Sequence, residues 1–208
     1  MSNDWTFYAG SDESGKGDYF GPLVVVTFAC DIADIPRLQN YGVKDSKLLS
    51  EERINTLAEK ILLDFRGQYQ YVVVLPEQYN PLYKDFSKKK PGLNEMLAFL
   101  HSKTIGDLYK KHKFQGVVID KFANETMIKK FISNQCDAPT MIVTNAEKDT
   151  IVAAASIIAR YLFVKNLNDL SQKYNVTLLK GASNKVKELR NSISPEILPF
   201  VVKMHFKP

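Results

Sequence analysis

Two cysteines are all that the 208 residues contain. Cys30 and Cys136 form no framework of paired spacings, and Cys30 closes an apolar run, where a buried free thiol is the plain expectation. No disulfide is expected. Long hydrophobic runs are scarce as well: none approaches the roughly 18 apolar residues of a membrane span. The opening residues are polar and lack the basic-then-apolar order of a signal peptide, so a cytosolic (cytoplasmic) chain with no membrane partner is expected. Hydrophobic residues make up 45% and charged residues 25%, with ten glycines and nine prolines, which excludes disordered tails, collagen-like repeats and coiled-coil rods. No internal repeat, low-complexity tract or linker divides the chain. Its length suits one domain over residues 1–208 with enough chain to bury a real core.

Charge of one sign is in modest excess, 28 Lys and Arg against 23 Asp and Glu. The whole surplus lies in residues 165–208, which carry eight basic side chains against three acidic ones. A basic C-terminal segment on a neutral body suits a polyanion partner, while a solvated helical face gives the same pattern about as often.

Apolar periodicity orders the rest. Residues 5–11 read as a short aromatic-rich strand and residues 23–30 (LVVVTFAC) as a buried one, with a Gly- and Asp-rich connection, so the chain opens on a hairpin. Ser50 is placed to cap a helix whose Ile54, Leu57, Ala58, Ile61, Leu62 and Phe65 share a face and which Gly67 ends. A strand follows at residues 69–75, stopped by Pro76. After a loop carrying the basic run KKKP (residues 88–91), Leu93, Met96, Leu97, Leu100, Ile105 and Leu108 trace a helical stripe. Residues 116–120 (GVVID) then form a short buried strand ending on an acid. A second such pair comes next, a helix through Met127, Ile128, Phe131 and Ile132 and a strand over residues 139–144. The clearest helix spans residues 151–170, and the tail after Gly181 is helical in pieces. Strands that first meander and then alternate with helices predict an α/β fold, a mixed sheet covered by helices. No long apolar stripe is left over, so a monomer is expected.

Acidic residues supply the chemistry. Hydrolysis of a phosphodiester with two metal ions needs several carboxylates converging at strand ends, because hard divalent cations take oxygen ligands and sit roughly 4 Å apart across the phosphate. Asp12 and Glu13 stand at the exit of the first strand, and Asp120 ends the GVVID strand. Ligands of such sheets gather beyond the carboxyl ends of parallel strands, so Asp12 and Asp120 face one site if their strands are neighbours. From position alone, either acid reads equally as an ordinary loop residue. A fourth acid is expected before the long helix, where Glu147 and Asp149 are both available. Asp149 or Thr150 is placed to cap that helix, which leaves Glu147 preferred and Asp149 in reserve. The run GSDESGKG (residues 10–17) fits a phosphate-binding loop up to its last position, but Gly17 stands where Ser or Thr would hold magnesium. His101 and His205 are candidate proton carriers, although a lone histidine among apolar residues is usually structural.

The segment DESGKGDYFGPLVVV (residues 12–26) resembles the signature of type 2 ribonucleases H, and its GKG followed by DYFGP is similar to the ribonuclease HIII branch. Further similarity runs through KDSKLLS (44–50), YNPLY (79–83), LNEMLAFLHSK (93–103), VVIDKFA (117–123), AAASIIARY (153–161), LLKGAS (178–183) and KMHF (203–206). The resemblance implies a ribonuclease H-like fold, a mixed five-stranded sheet flanked by helices and followed by C-terminal helices. It implies metal-dependent cleavage of the RNA strand in RNA/DNA hybrids, with two Mg2+ or Mn2+ ions aligning a water and leaving a 5′-phosphate and a 3′-hydroxyl. Carried over residue by residue, it makes Asp12, Glu13 and Asp120 metal ligands and places the fourth acid near Glu147. Ser14, Gly15, Lys16 and Gly17, with Lys47 and Lys180, are then expected to bind substrate: small residues let amides approach 2′-hydroxyls and lysines meet phosphates. Two glycines in a loop ordinarily mean only a tight turn. Ribonucleases HIII usually carry an extra N-terminal substrate-binding domain, whereas here the first acid is residue 12. The basic C-terminal segment, with Lys180, Lys185 and Lys187, is expected to hold phosphates in partial compensation, more weakly as salt rises. Two rivals stand beside this expectation. One is ribonuclease HII-like incision at single ribonucleotides in duplex DNA, against which Lys16, Phe122 and Ala123 speak. The other is a non-catalytic hybrid-binding protein of the same fold.

Overall fold

Strand β1 (Phe7–Ser14) and strand β2 (Leu23–Asp31) form the expected antiparallel hairpin in a computed structural model that describes residues 4–44, 46–88 and 92–206. Asp45 of the KDSKLLS motif, most of the KKKP run and Lys207 lie outside the described residues. β1 continues to Ser14, so Asp12 and Glu13 sit inside the strand and not at its exit. The reason is pairing: Asp12 and Glu13 are opposite Val26 and Val25 of β2, and that ladder carries them past the polar composition that read as loop. All of β2 but its last residue is buried, as a β-branched run must be when both faces of its sheet are covered.

Helix α1 (Ile35–Tyr41), which the sequence did not reveal, starts with Pro36 in its first turn and closes on Gly42 at φ 93°. Helix α2 (Glu51–Asp64) is capped as expected by Ser50, whose hydroxyl accepts the Arg53 amide at 3.3 Å. Strand β3 (Tyr69–Val74) pairs antiparallel with the far side of β2. Pro76 then does more than stop it. It opens helix α3 (Pro76–Ser87), where the sequence predicted a loop, because a proline in the first turn surrenders an amide that no helix would use. Helix α4 (Gly92–Lys111), strand β4 (Val117–Asp120), helix α5 (Glu125–Ser133) and strand β5 (Thr140–Val143) follow close to expectation. β4 is parallel to β1 and β5 parallel to β4, giving a mixed five-stranded sheet of order β3-β2-β1-β4-β5.

Helix α6 (Thr150–Tyr174) crosses one face of this sheet and α4 the other. α6 is long and apolar enough to cross a membrane, which corrects the expectation that no such stretch exists. Fourteen of its 25 residues are buried against the sheet and α2, so its apolarity is that of a core helix. Its first turn lies against β1 where Gly10 stands: a Cβ there would be 2.6 Å from the Val152 nitrogen. Cys30 and Cys136 are free and buried.

The tail forms helix α7 (Asn184–Ser192) and helix α8 (Leu198–Val201), then turns back under the start of β2. Val202 bridges Phe20, and the fully buried Lys203 donates from Nζ to the carbonyls of Phe20, Gly21 and Pro22 at 3.3, 2.8 and 3.2 Å. Three ammonium protons meet three carbonyls, which is how a lysine can be buried without a carboxylate.

Candidate active site

The register of the parallel pair decides where the acids go. Ser11 is paired with Ile119 at the last rung between β1 and β4, so the next residues, Asp12 and Asp120, emerge side by side at the carboxyl ends of adjacent parallel strands. Asp120 in turn pairs with Val143 at the end of β5. Beyond it Asn145 takes a left-handed turn at φ 56°, a conformation that asparagine tolerates better than most residues. That turn starts the single 3-10 turn Ala146–Lys148, whose Ala146 amide donates to Asp120 Oδ1 at 3.1 Å. Glu147 is thereby presented toward Asp12 and Asp120. All four acids, Asp12, Glu13, Asp120 and Glu147, line one cavity of about 230 Å³, together with Ser14, Ser46, Lys47, Ser156 and Arg160.

Asp149 is elsewhere. Its Oδ1 accepts the Ile151 and Val152 amides at 2.9 and 3.2 Å, capping α6, and its Oδ2 accepts the Tyr8 hydroxyl at 2.7 Å. Both carboxylate oxygens are committed to holding the helix start, and Asp149 lines a different, larger cavity beneath Trp5 and Tyr8.

Strand alternation sends Asp12 toward α6 and Glu13 toward α4. Burial first, then the charge of Glu13, pushes the Asp12 carboxyl up to about 7, against the Ser156 hydroxyl and the Glu13 amide, which favour its ionised form. Burial presses Glu13 upward too, but hydrogen bonds and charge from His101 and Lys16 outweigh it and hold Glu13 below the usual glutamate range. Glu147 is also held low: burial is overcome by its own backbone amide and by Lys47, whose Nζ lies 3.2 Å from Oε1. Among the described residues no three of these groups are drawn together tightly enough to enclose a metal ion. Glu13 is turned to His101 and Lys16, Glu147 to Lys47, and Asp120 to the Ala146 amide. The donor set is nevertheless carboxylate oxygen throughout, which suits Mg2+ and Mn2+, and each acid borders the same cavity.

The expected substrate residues divide. Ser14 and Lys47 line the cavity. Lys16 stands at its edge, 3.6 Å from Glu13 Oε1 and 5.5 Å above the Phe122 ring. Gly15 is demanded by the fold, since its φ is +89° and a Cβ would meet the Pro22 carbonyl at 2.2 Å. Gly17 is not demanded: its backbone is ordinary and a Cβ there would touch nothing within 4 Å. Lys180 does not line the cavity and is ion-paired with Glu51. Its loop is clipped to the glycine-rich turn by the Gly181 amide, which donates to Asp18 Oδ1 at 2.6 Å. His205 is remote as well. Its ring stacks on Tyr83 at 4.4 Å, and burial, then the Lys203 charge, pushes it down to about 4. Sequence reasoning missed Ser46, Ser156 and Arg160. Ser156 and Arg160 were visible as two polar residues four apart interrupting an apolar helical stripe, and so on one face.

A family model described as Ribonuclease HII matches residues 9–208. The chain belongs to the ribonuclease HII family. Ribonuclease HIII of Protochlamydia amoebophila (strain UWE25) is 37% identical over 98% of this chain and 67% of its own length. Bst-RNase HIII, solved in complex with Mn2+, is 31% identical with a TM-score of 0.84 over 96% of this chain and 67% of that one. The ribonuclease H2 from Pyrococcus horikoshii is 27% identical with a TM-score of 0.78, over 97% of this chain and 94% of that one. The ribonuclease H-like fold and the similarity to ribonuclease HIII are thus both found, and the chain spans about two thirds of the length of the ribonuclease HIII relatives it matches.

Proposed function

We propose that this member of the ribonuclease HII family hydrolyses the RNA strand of RNA/DNA hybrids, with Asp12, Glu13, Asp120 and Glu147 holding two Mg2+ or Mn2+ ions. The observation that carries the reading is the meeting of these four acids, from β1, β4 and the turn before α6, in one cavity at the carboxyl edge of parallel strands. When bound, such ions supply the positive charge that activates water and stabilises a leaving 3′ oxygen, giving 5′-phosphate and 3′-hydroxyl ends. The chain's own groups do the rest. Ser156 steadies Asp12 in its ionised form. Lys16 and Lys47, drawn to Glu13 and Glu147, stand ready to meet the phosphates on either side of the cleaved bond. Arg160 takes part in none of the ion pairs among the described residues and offers a forked guanidinium to a phosphate in the same cavity. Gly17, for which the fold has no need, leaves room for a sugar edge to reach backbone amides, the feature by which RNA is told from DNA.

The deciding experiment is Asp120→Asn assayed on a long hybrid with Mg2+ or Mn2+. Folding and hybrid binding should persist while cleavage falls by orders of magnitude, and normal turnover would remove Asp120 from the mechanism. One observation favours a second reading, incision at single ribonucleotides in duplex DNA: the family model that matches residues 9–208 is described as Ribonuclease HII. Comparing a duplex with one embedded ribonucleotide against a continuous hybrid separates the two, and the similarity to ribonuclease HIII, with Lys16, Phe122 and Ala123 in the matching motifs, leads us to expect the continuous hybrid to be preferred.

A further inference from the structure

His101 is fully buried on α4, yet its ring reaches the site. Nε2 lies 3.2 Å from Glu13 Oε2 and Nδ1 lies 2.8 Å from Ser11 Oγ, while the ring stacks on Phe122 with centroids 5.0 Å apart. A carboxylate only accepts, so Nε2 carries the hydrogen that faces Glu13 whichever state Nδ1 adopts. Beside Ser11 a buried chain of hydroxyls runs across the α4-facing side of the sheet to the helix that bears the histidine. Ser11 Oγ is 3.0 Å from Thr27 Oγ1, Thr27 Oγ1 is 2.8 Å from Thr104 Oγ1, and Thr104 donates to the His101 carbonyl at 3.0 Å. An apolar interface would pack β1 on α4 more cheaply than these polar groups, each of which needs a partner. What the network fixes is the ring, and what the ring fixes is one oxygen of Glu13. The other oxygen, Oε1, is left on the side of Lys16 and the cavity.

We propose that His101 is a positioning residue that holds Glu13 Oε2 so that Oε1 is offered to a divalent ion, with Ser11, Thr27 and Thr104 orienting the imidazole. The proposal rests on Glu13 being a metal ligand. It explains how a strand whose side chains alternate can deliver two consecutive acids to one cavity: Asp12 reaches it directly from the α6 side, and Glu13 is the longer acid and is steered from the α4 side.

Two polar replacements separate positioning from packing. Glutamine at position 101 places its side-chain nitrogen near the place of Nε2 and can still donate to Glu13, whereas asparagine reaches only as far as Nδ1 and keeps Ser11 alone. Mn2+ binding without substrate is followed by the electron paramagnetic resonance signal of the free ion, and folding by circular dichroism. His101→Gln should bind Mn2+ within a few-fold of the unaltered protein, and His101→Asn should lose about 10- to 100-fold, the usual effect of removing a partner of a metal ligand. In the Glu13→Gln background the His101→Asn change should have no further effect, because its only route to the ion is through Glu13. Equal Mn2+ affinity in His101→Asn and the unaltered protein, or equal losses in the asparagine and glutamine variants, would overturn the positioning role. If Glu13→Gln by itself leaves Mn2+ binding untouched, the reading of Glu13 as a ligand fails instead, and the proposal falls with it for a separately identified reason.

Discussion

Glu147 and Asp149 stand two residues apart and have different surroundings. Glu147→Gln should therefore abolish most cleavage with little change in stability. Asp149→Asn should leave both nearly intact, since asparagine caps a helix about as well as aspartate. Asp149→Ala, which removes the cap and the hydrogen bond to Tyr8, should cost about 1–2 kcal/mol in urea denaturation and spare the chemistry. Loss of cleavage only in Asp149→Asn would transfer the fourth-ligand role to Asp149. Asp12 sets a pH dependence. Its carboxyl is raised by burial and by Glu13 to about 7, so below that pH it holds a proton that a cation must displace. Mn2+ affinity measured without substrate should climb as pH rises toward about 7 and level off above it. The same shift has the opposite sign for folding. The contribution of Asp12 to the stability of the metal-free protein is fully present below about pH 4 and is lost as pH rises through about 7. An affinity flat between about pH 5 and 8 would show that Asp12 is ionised throughout.

At the scale of elements, the sequence was readable wherever one signal dominated. The buried run of β2, the Ser50 cap of α2 and the apolar stripes of α4 and α6 each follow from a pattern that tertiary packing reinforces. α1 and α3 were unreadable because both begin with a proline in the first turn, a residue that reads as a stop from one side and a start from the other, and α3 holds Pro81 inside it. The site was legible in its acids through the motifs that carry them, although Asp12 and Glu13 lie inside β1 and Glu147 stands in a 3-10 turn. His101 was legible only as a candidate proton carrier, and Ser156 and Arg160 only as polar breaks in an apolar stripe, because all three come to the site from helices distant in the chain. The seam between the C-terminal tail and the loop before β2 lay beyond sequence reasoning for the same cause. It predicts that Lys203→Met, which strands three buried carbonyls, destabilises the protein by about 1–3 kcal/mol in urea. An unchanged midpoint would mean that removing a buried charge offsets the missing hydrogen bonds.

Across the whole molecule, charge is arranged in two zones. The cavity gathers acids, and the basic surplus lies in the final fifth of the chain, where α7 exposes Lys185 and buries Val186 beneath it. A hybrid lying across both zones would meet cations where its backbone runs and carboxylates only where a bond is to be cut. Its affinity, measured with the Asp120→Asn variant so that cleavage does not intervene, should fall steeply with salt. Replacing both Lys185 and Lys187 by alanine should flatten the logarithmic slope by about 1 for each phosphate that is no longer neutralised. An unaltered slope would put the polyanion elsewhere.

The bridge between Phe20 and Val202, with Lys203 behind it, ties the turn that follows the glycine-rich loop to residues made nearly two hundred positions later. During translation the acids of the sheet have all emerged long before that tie can form. A nascent chain whose segment from Val201 onward is still inside the ribosome therefore has all four acids but no fastened loop beside them.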